Sequence, residues 1–117
     1  MRNHSTVRLI GAPTDIGAGT RGASMGPEAL RAANLVEALT GRGLNVVDGG
    51  NLGGPPNPWL PPHEGYRHLP EVLAWNVAVR DAMTHALRAG EFPMLLGGDH
   101  CLAIGSIAAI SSHCRRV

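Results

Sequence analysis

A three-layer α/β fold built on a parallel sheet is what this sequence predicts, and three observations carry the prediction. Short apolar runs that stop on glycine recur as TVRLIGAP (6–13), LNVVDGG (44–50) and FPMLLGG (92–98). Segments of helical period follow each run, and strand–helix alternation of this kind winds into a parallel sheet through right-handed crossovers. The third run is apolar at successive positions, the pattern of a strand covered on both faces deep in such a sheet.

Taken in order, the first run reads as a strand ended by Gly11 and Pro13. A loop rich in Gly, Asp and Thr spans Thr14 to Gly26. Pro27 and Glu28 suit a first helical turn, where proline lacks only a hydrogen bond the helix could not make and the acid meets the positive dipole end. Ala29, Leu30, Ala33, Val36 and Leu39 continue this helix, and Gly41 or Gly43 should stop it. After the second strand, GGPPNPWLPP (53–62) holds five prolines in ten positions, an extended loop with few donors for a sheet. The segment 69–90 is the strongest helix. Pro70 and Glu71 open it, Val72, Trp75, Val79, Met83 and Leu87 form its apolar stripe, and Arg88 and Gly90 close it. A last helix is expected from Leu102 to about His113.

Composition narrows the function classes. The chain has 117 residues, the size of one domain, and no internal repeat. Hydrophobic content of 44% marks it as globular, and a net charge of +1 gives no general attraction to nucleic acid or acidic membranes. Aromatics at 3% leave no stacking platform for single strands. No apolar segment approaches the roughly 18 residues of a membrane-spanning helix, and the N-terminal apolar stretch is short for a signal peptide. Cys101 and Cys114 lack zinc-like spacing and read as free thiols of a reducing compartment, which points to the cytoplasm.

Three segments are candidate sites. GAGTRG (17–22) matches the G-x-G-x-x-G dinucleotide pattern, with Asp48 at the end of the next strand. Its strand ends too early and its helix begins too late for a pyrophosphate to sit on the helix N-terminus, so a glycine-built loop is the preferred reading. HEGYRH (63–68) carries two histidines five residues apart with a glycine between them, which fits solvated loop residues better than a helical zinc pair. His4, His85 and His113 have no partners at useful spacing. His100 stands apart because the third strand delivers Gly97-Gly98-Asp99-His100 to the carboxyl edge of the sheet, where open α/β sheets keep their ligands. An imidazole there can bind a metal, shuttle protons or simply bond the local turn. Asp99, just before a helix, is a natural cap, and adjacent extended residues point apart, so Asp99 and His100 should not grip one ion.

The stretches IGAPTDIGAGTRGASMGPEALR (10–31), LNVVDGGNL (44–52) and LGGDHCLAIGSI (96–107) resemble the N-terminal part of arginases, within the ureohydrolase family. The resemblance covers nearly the whole chain and implies an arginase-like three-layer fold with two manganese ions at the carboxyl edge. It implies hydrolysis of L-arginine to L-ornithine and urea, with a metal-bridging hydroxide attacking the guanidinium carbon. Two divalent ions suit this work because they lower the pKa of bound water and stabilise the developing charge. By the same resemblance His100 is a manganese ligand, Asp99 is a supporting group or helix cap, and oligomers of identical chains are usual.

The family's later motifs, DAHxD and SxDxD, do not occur here. Residues 1–117 are therefore expected to be the N-terminal part of a single arginase-like domain, truncated after the third strand and its helix, with no complete catalytic set. Alternatives are an agmatinase-type segment, or a non-catalytic interaction module whose missing fourth strand leaves a sheet edge for another chain. A nucleotide-binding module on residues 17–22 is the remaining reading.

Overall fold

The computed structural model describes residues 5–114; His4 and the last three residues, 115–117, lie outside them. Strand β1 (Val7–Ala12) occupies the centre of a three-stranded parallel sheet, with β2 (Val46–Asn51) on one side and β3 (Phe92–Gly97) on the other. Helices α1 (Gly26–Ala32) and α2 (Leu35–Thr40) join β1 to β2, α3 (Leu69–Arg88) joins β2 to β3, and α4 (Ala103–His113) follows β3.

The sheet separates two apolar cores because successive residues of β1 face opposite sides. Val7 and Leu9 pack with Leu96 against Leu35, Val36 and Leu39 of α2. Ile10 and Ala12 pack against Trp75, Val79, Met83 and Ala86 of α3, with Ala109 of α4. Two helices, a sheet and two helices make the three layers expected from the alternation of patterns.

Two expectations are corrected. The helix expected from Pro27 to Leu39 is broken, because Asn34 adopts a left-handed conformation at φ 63°. Asn tolerates that region better than most side chains, and the turn lets α2 lay its apolar residues on the sheet independently of α1. β3, expected to be covered on both faces, pairs only with β1 among the described residues, where Phe92 is 58% exposed and only Leu96 of the strand is buried.

α3 and α4 cross at very close range. A Cβ added to Gly105 would lie 2.4 Å from the carbonyl oxygen of Asn76. Asn76 is itself buried; its side chain donates to the Val72 carbonyl (3.0 Å) and accepts from the Gly105 amide (2.7 Å). The proline-rich segment 53–62 has no regular structure and is tied to α3 where Trp75 Nε1 donates to the Pro55 carbonyl at 2.8 Å.

Candidate metal site

Two loops meet at the carboxyl edge of the sheet. One leaves β1 and carries residues 13–22; the other leaves β3 as Gly98-Asp99 and enters a single 3-10 turn over His100–Leu102. Asp99 joins them. Its Oδ1 accepts from the Cys101 amide at 2.8 Å, capping the turn, and its Oδ2 accepts from the Gly17 amide at 2.7 Å. A Cβ on Gly17 would stand 2.8 Å from Asp99 Oδ1 and 3.0 Å from Cys101 Cβ, so glycine is what permits this approach. A Cβ on Gly26 would meet the Gly97 carbonyl oxygen at 2.1 Å. Gly17 in the first loop and Gly26 at the start of α1 thus seat this part of the chain against the end of β3 and the turn after it.

His100 is exposed on this edge, at the start of the turn that Asp99 caps. The Asp99 carboxylate is engaged by two backbone amides, which leaves the imidazole as the free donor of the pair. Cys101 is half-buried, and burial together with the Asp99 carboxylate pushes its thiol up to about 12. Among the described residues no group of three His, Cys, Asp or Glu side chains is arranged to hold an ion. His100 is thus an exposed imidazole on this edge with no ligating pair beside it among the described residues.

The other candidates have structural partners. Asp48, expected at the end of the strand after the GAGTRG segment, lies within β2, which continues to Asn51, and is held in a two-pronged pair with Arg31 (2.8 and 2.9 Å), which with the Gly50 amide keeps its carboxyl below its ordinary 3.8. Gly22 leads into a 3-10 turn, Ala23–Met25, before the short α1. In HEGYRH the two histidines separate completely. His63 is exposed, but His68, expected as a solvated loop residue, is only 7% exposed. Its Nδ1 donates to the Ile16 carbonyl at 2.8 Å and its Nε2 accepts from the Leu60 amide at 3.1 Å. With both nitrogens engaged, His68 fastens the first loop to the proline-rich segment. Nothing in its sequence spacing signals that role, since its partners are backbone groups 52 and 8 residues away. Asn57 adds a second tie, donating to the carbonyl and Oδ1 of Asp15, each at 3.1 Å. Cys101 and Cys114 are both free.

Comparison with known proteins agrees with this architecture. The Arginase family model matches residues 5–117. The arginase of Brevibacillus brevis is 35% identical over 118 residues, covering 97% of this chain and 38% of the relative. That of Bacillus subtilis is 38% identical over 109 residues, covering 92% and 36%. A crystal structure of the Bacillus subtilis arginase superposes with a TM-score of 0.81 at 35% identity, over 93% of this chain and 35% of the other. The Bacillus caldovelox arginase does so with a TM-score of 0.84 at 33% identity, over 93% and 37%. This chain spans little more than a third of the relatives it matches, and no described helix is long and apolar enough to cross a membrane. With the match running from residue 5 to the last residue, the chain belongs to the arginase family.

Proposed function

We propose that residues 1–117 form the N-terminal part of one arginase domain, and that His100 supplies one ligand of its manganese centre. The observation that carries this reading is the position of His100. It stands exposed at the carboxyl end of β3, on a turn fixed by Asp99, in a fold that superposes on arginases with TM-scores of 0.81 and 0.84. A neutral imidazole is a suitable ligand for manganese beside carboxylates. The remaining ligands come from other residues than those described, and the activity belongs to the completed domain: hydrolysis of L-arginine to L-ornithine and urea. Asp99 acts as a positioning residue, holding the His100 turn and the Gly17 loop together. Free cysteines fit a cytoplasmic setting, and assembly with identical chains belongs to the same proposal.

A chimera tests it. This chain replaces the corresponding third of the Bacillus subtilis arginase, and urea release is measured with manganese. L-Arginine should be turned over in preference to agmatine, and His100→Ala should reduce the rate by about 100-fold or more. Agmatine preference would move the chain to the alternative ureohydrolase activity. An unaffected His100→Ala chimera would remove His100 from the metal centre. The chain alone should release no urea; turnover by it would overturn the claim that its ligand set is incomplete.

A further inference from the structure

One peptide group of the first loop is held from both ends. The carbonyl oxygen of Ile16 accepts from His68 Nδ1 at 2.8 Å, and the amide of Gly17, part of the same planar unit, donates to Asp99 Oδ2 at 2.7 Å. Asp99 Oδ1 in turn accepts from the Cys101 amide at 2.8 Å, inside the turn that begins with His100. An unbroken line of hydrogen bonds thus runs from the entrance of α3 to the His100 turn. The proton on Nδ1 is fixed by its partner, since a carbonyl can only accept. Leu60, by contrast, offers Nε2 both its N–H and its carbonyl oxygen, each at 3.1 Å.

His68 is set for this contact by an uncommon backbone. It stands immediately before α3 in the left-handed region, at φ 50°, and is buried between the first loop and the proline-rich segment. That segment meets the loop again on either side of the Ile16–Gly17 peptide. Asn57 donates to the Asp15 carbonyl, and the Arg21 guanidinium lies 4.5 Å from the centre of the Trp59 ring. The direction of the Gly17 N–H is therefore set from the His68 side.

We infer that His68 is a positioning residue for His100, acting through the Ile16–Gly17 peptide and Asp99. A planar peptide carries orientation from one end to the other, so turning the Ile16 carbonyl turns the Gly17 N–H with it. It also carries polarisation, because a peptide whose oxygen accepts a bond becomes a stronger donor at its nitrogen. Loss of the His68 bond loosens the Asp99 carboxylate, and with it the turn that presents the imidazole. The catalytic consequence rests on the proposed role of His100 as a manganese ligand; the coupling of the two loops does not.

The chimera described above carries the test. Glycine and asparagine both tolerate a left-handed backbone, so neither His68→Gly nor His68→Asn strains the entrance of α3. Glycine removes both ring bonds, whereas the asparagine amide can donate from the place of Nδ1. Without manganese, the Gly17 amide should exchange its hydrogen at least about tenfold faster in His68→Gly and near the parent rate in His68→Asn. The manganese concentration for half-maximal urea release should rise about tenfold in His68→Gly and stay within about twofold in His68→Asn. On an Asp99→Ala background, His68→Gly should add less than about twofold to that requirement, because the link is already cut. A merely structural role would instead multiply the two effects. Unchanged Gly17 exchange in His68→Gly, or fully multiplied effects, would overturn the inference. Faster Gly17 exchange in a chimera whose urea release survives His100→Ala would uphold the coupling and remove the proposed function alone.

Discussion

Asp99 shows how much one carboxylate can organise when both oxygens are spent on backbone amides. Each amide it satisfies belongs to a different loop, 82 and 2 residues away, so the bond to Gly17 is the long-range one. Asp99→Asn places an amide donor where one of those N–H groups needs an acceptor. The substitution should cost about 1–3 kcal/mol, the usual penalty for leaving a partly buried donor unpaired. Urea unfolding checks the magnitude, and hydrogen exchange checks the place: the Gly17 or Cys101 amide should exchange faster than in the parent chain. Unchanged stability together with unchanged exchange at both amides would show that the turn stands without its cap. The capping part of this arrangement is legible in the sequence, because an acid before a helical turn is a local signal. The Gly17 part is not, since nothing local couples residues so far apart. The same holds for His68, whose burial depends on backbone carbonyl and amide groups that every residue type offers alike.

At the scale of elements, periodicity reveals what a helix buries but not what it meets. The stripe Trp75, Val79 and Met83 is readable at helical spacing and is buried as that spacing requires. Asn76 breaks the pattern, and its reason lies in α4, where Gly105 brings the two backbones together. Gly105→Ala is therefore a test of the crossing. On an exposed helix alanine would stabilise by about 1 kcal/mol over glycine. Here the new Cβ would lie 2.4 Å from the Asn76 carbonyl oxygen and 3.1 Å from its carbon, backbone atoms that cannot swing away. The expected outcome is a net loss of about 2–3 kcal/mol as the helices separate. A raised melting temperature would mean that α3 and α4 are farther apart than described. The break at Asn34 escaped sequence reading for a related reason: a left-handed residue leaves the surrounding helical pattern almost unaltered.

Over the whole molecule, ion pairs tie together parts of the chain that the two cores alone would join less firmly. Arg8 of β1 holds Glu91 at the entrance to β3, and Arg31 of α1 holds Asp48 of β2 while also reaching Glu28 and Asn51. The hydrogen bond from Arg8 keeps the Glu91 carboxyl below its ordinary 4.5, and that from Arg31 keeps Asp48 below its ordinary 3.8. The sign follows from linkage. A carboxylate with a lower pKa folded than unfolded binds fewer protons in the native state, so its contribution is complete above the unfolded value and is lost as pH falls through the folded one. Stability should therefore be nearly level from pH 7 down to about 5 with respect to these two groups, then fall through the range below their ordinary values. Asp48→Asn should cost about 1 kcal/mol at pH 7, a modest figure because the pair is partly open to solvent and screened by salt. The gap between this variant and the parent should narrow as pH falls below 3.8, where the contribution of the lowered Asp48 carboxyl is progressively lost. Thermal unfolding of the two proteins across this range makes the comparison. A destabilisation that persists undiminished at pH 2.5 would assign the role of Asp48 to its hydrogen bonds as a neutral group, and charge pairing would then not be what joins α1 to β2.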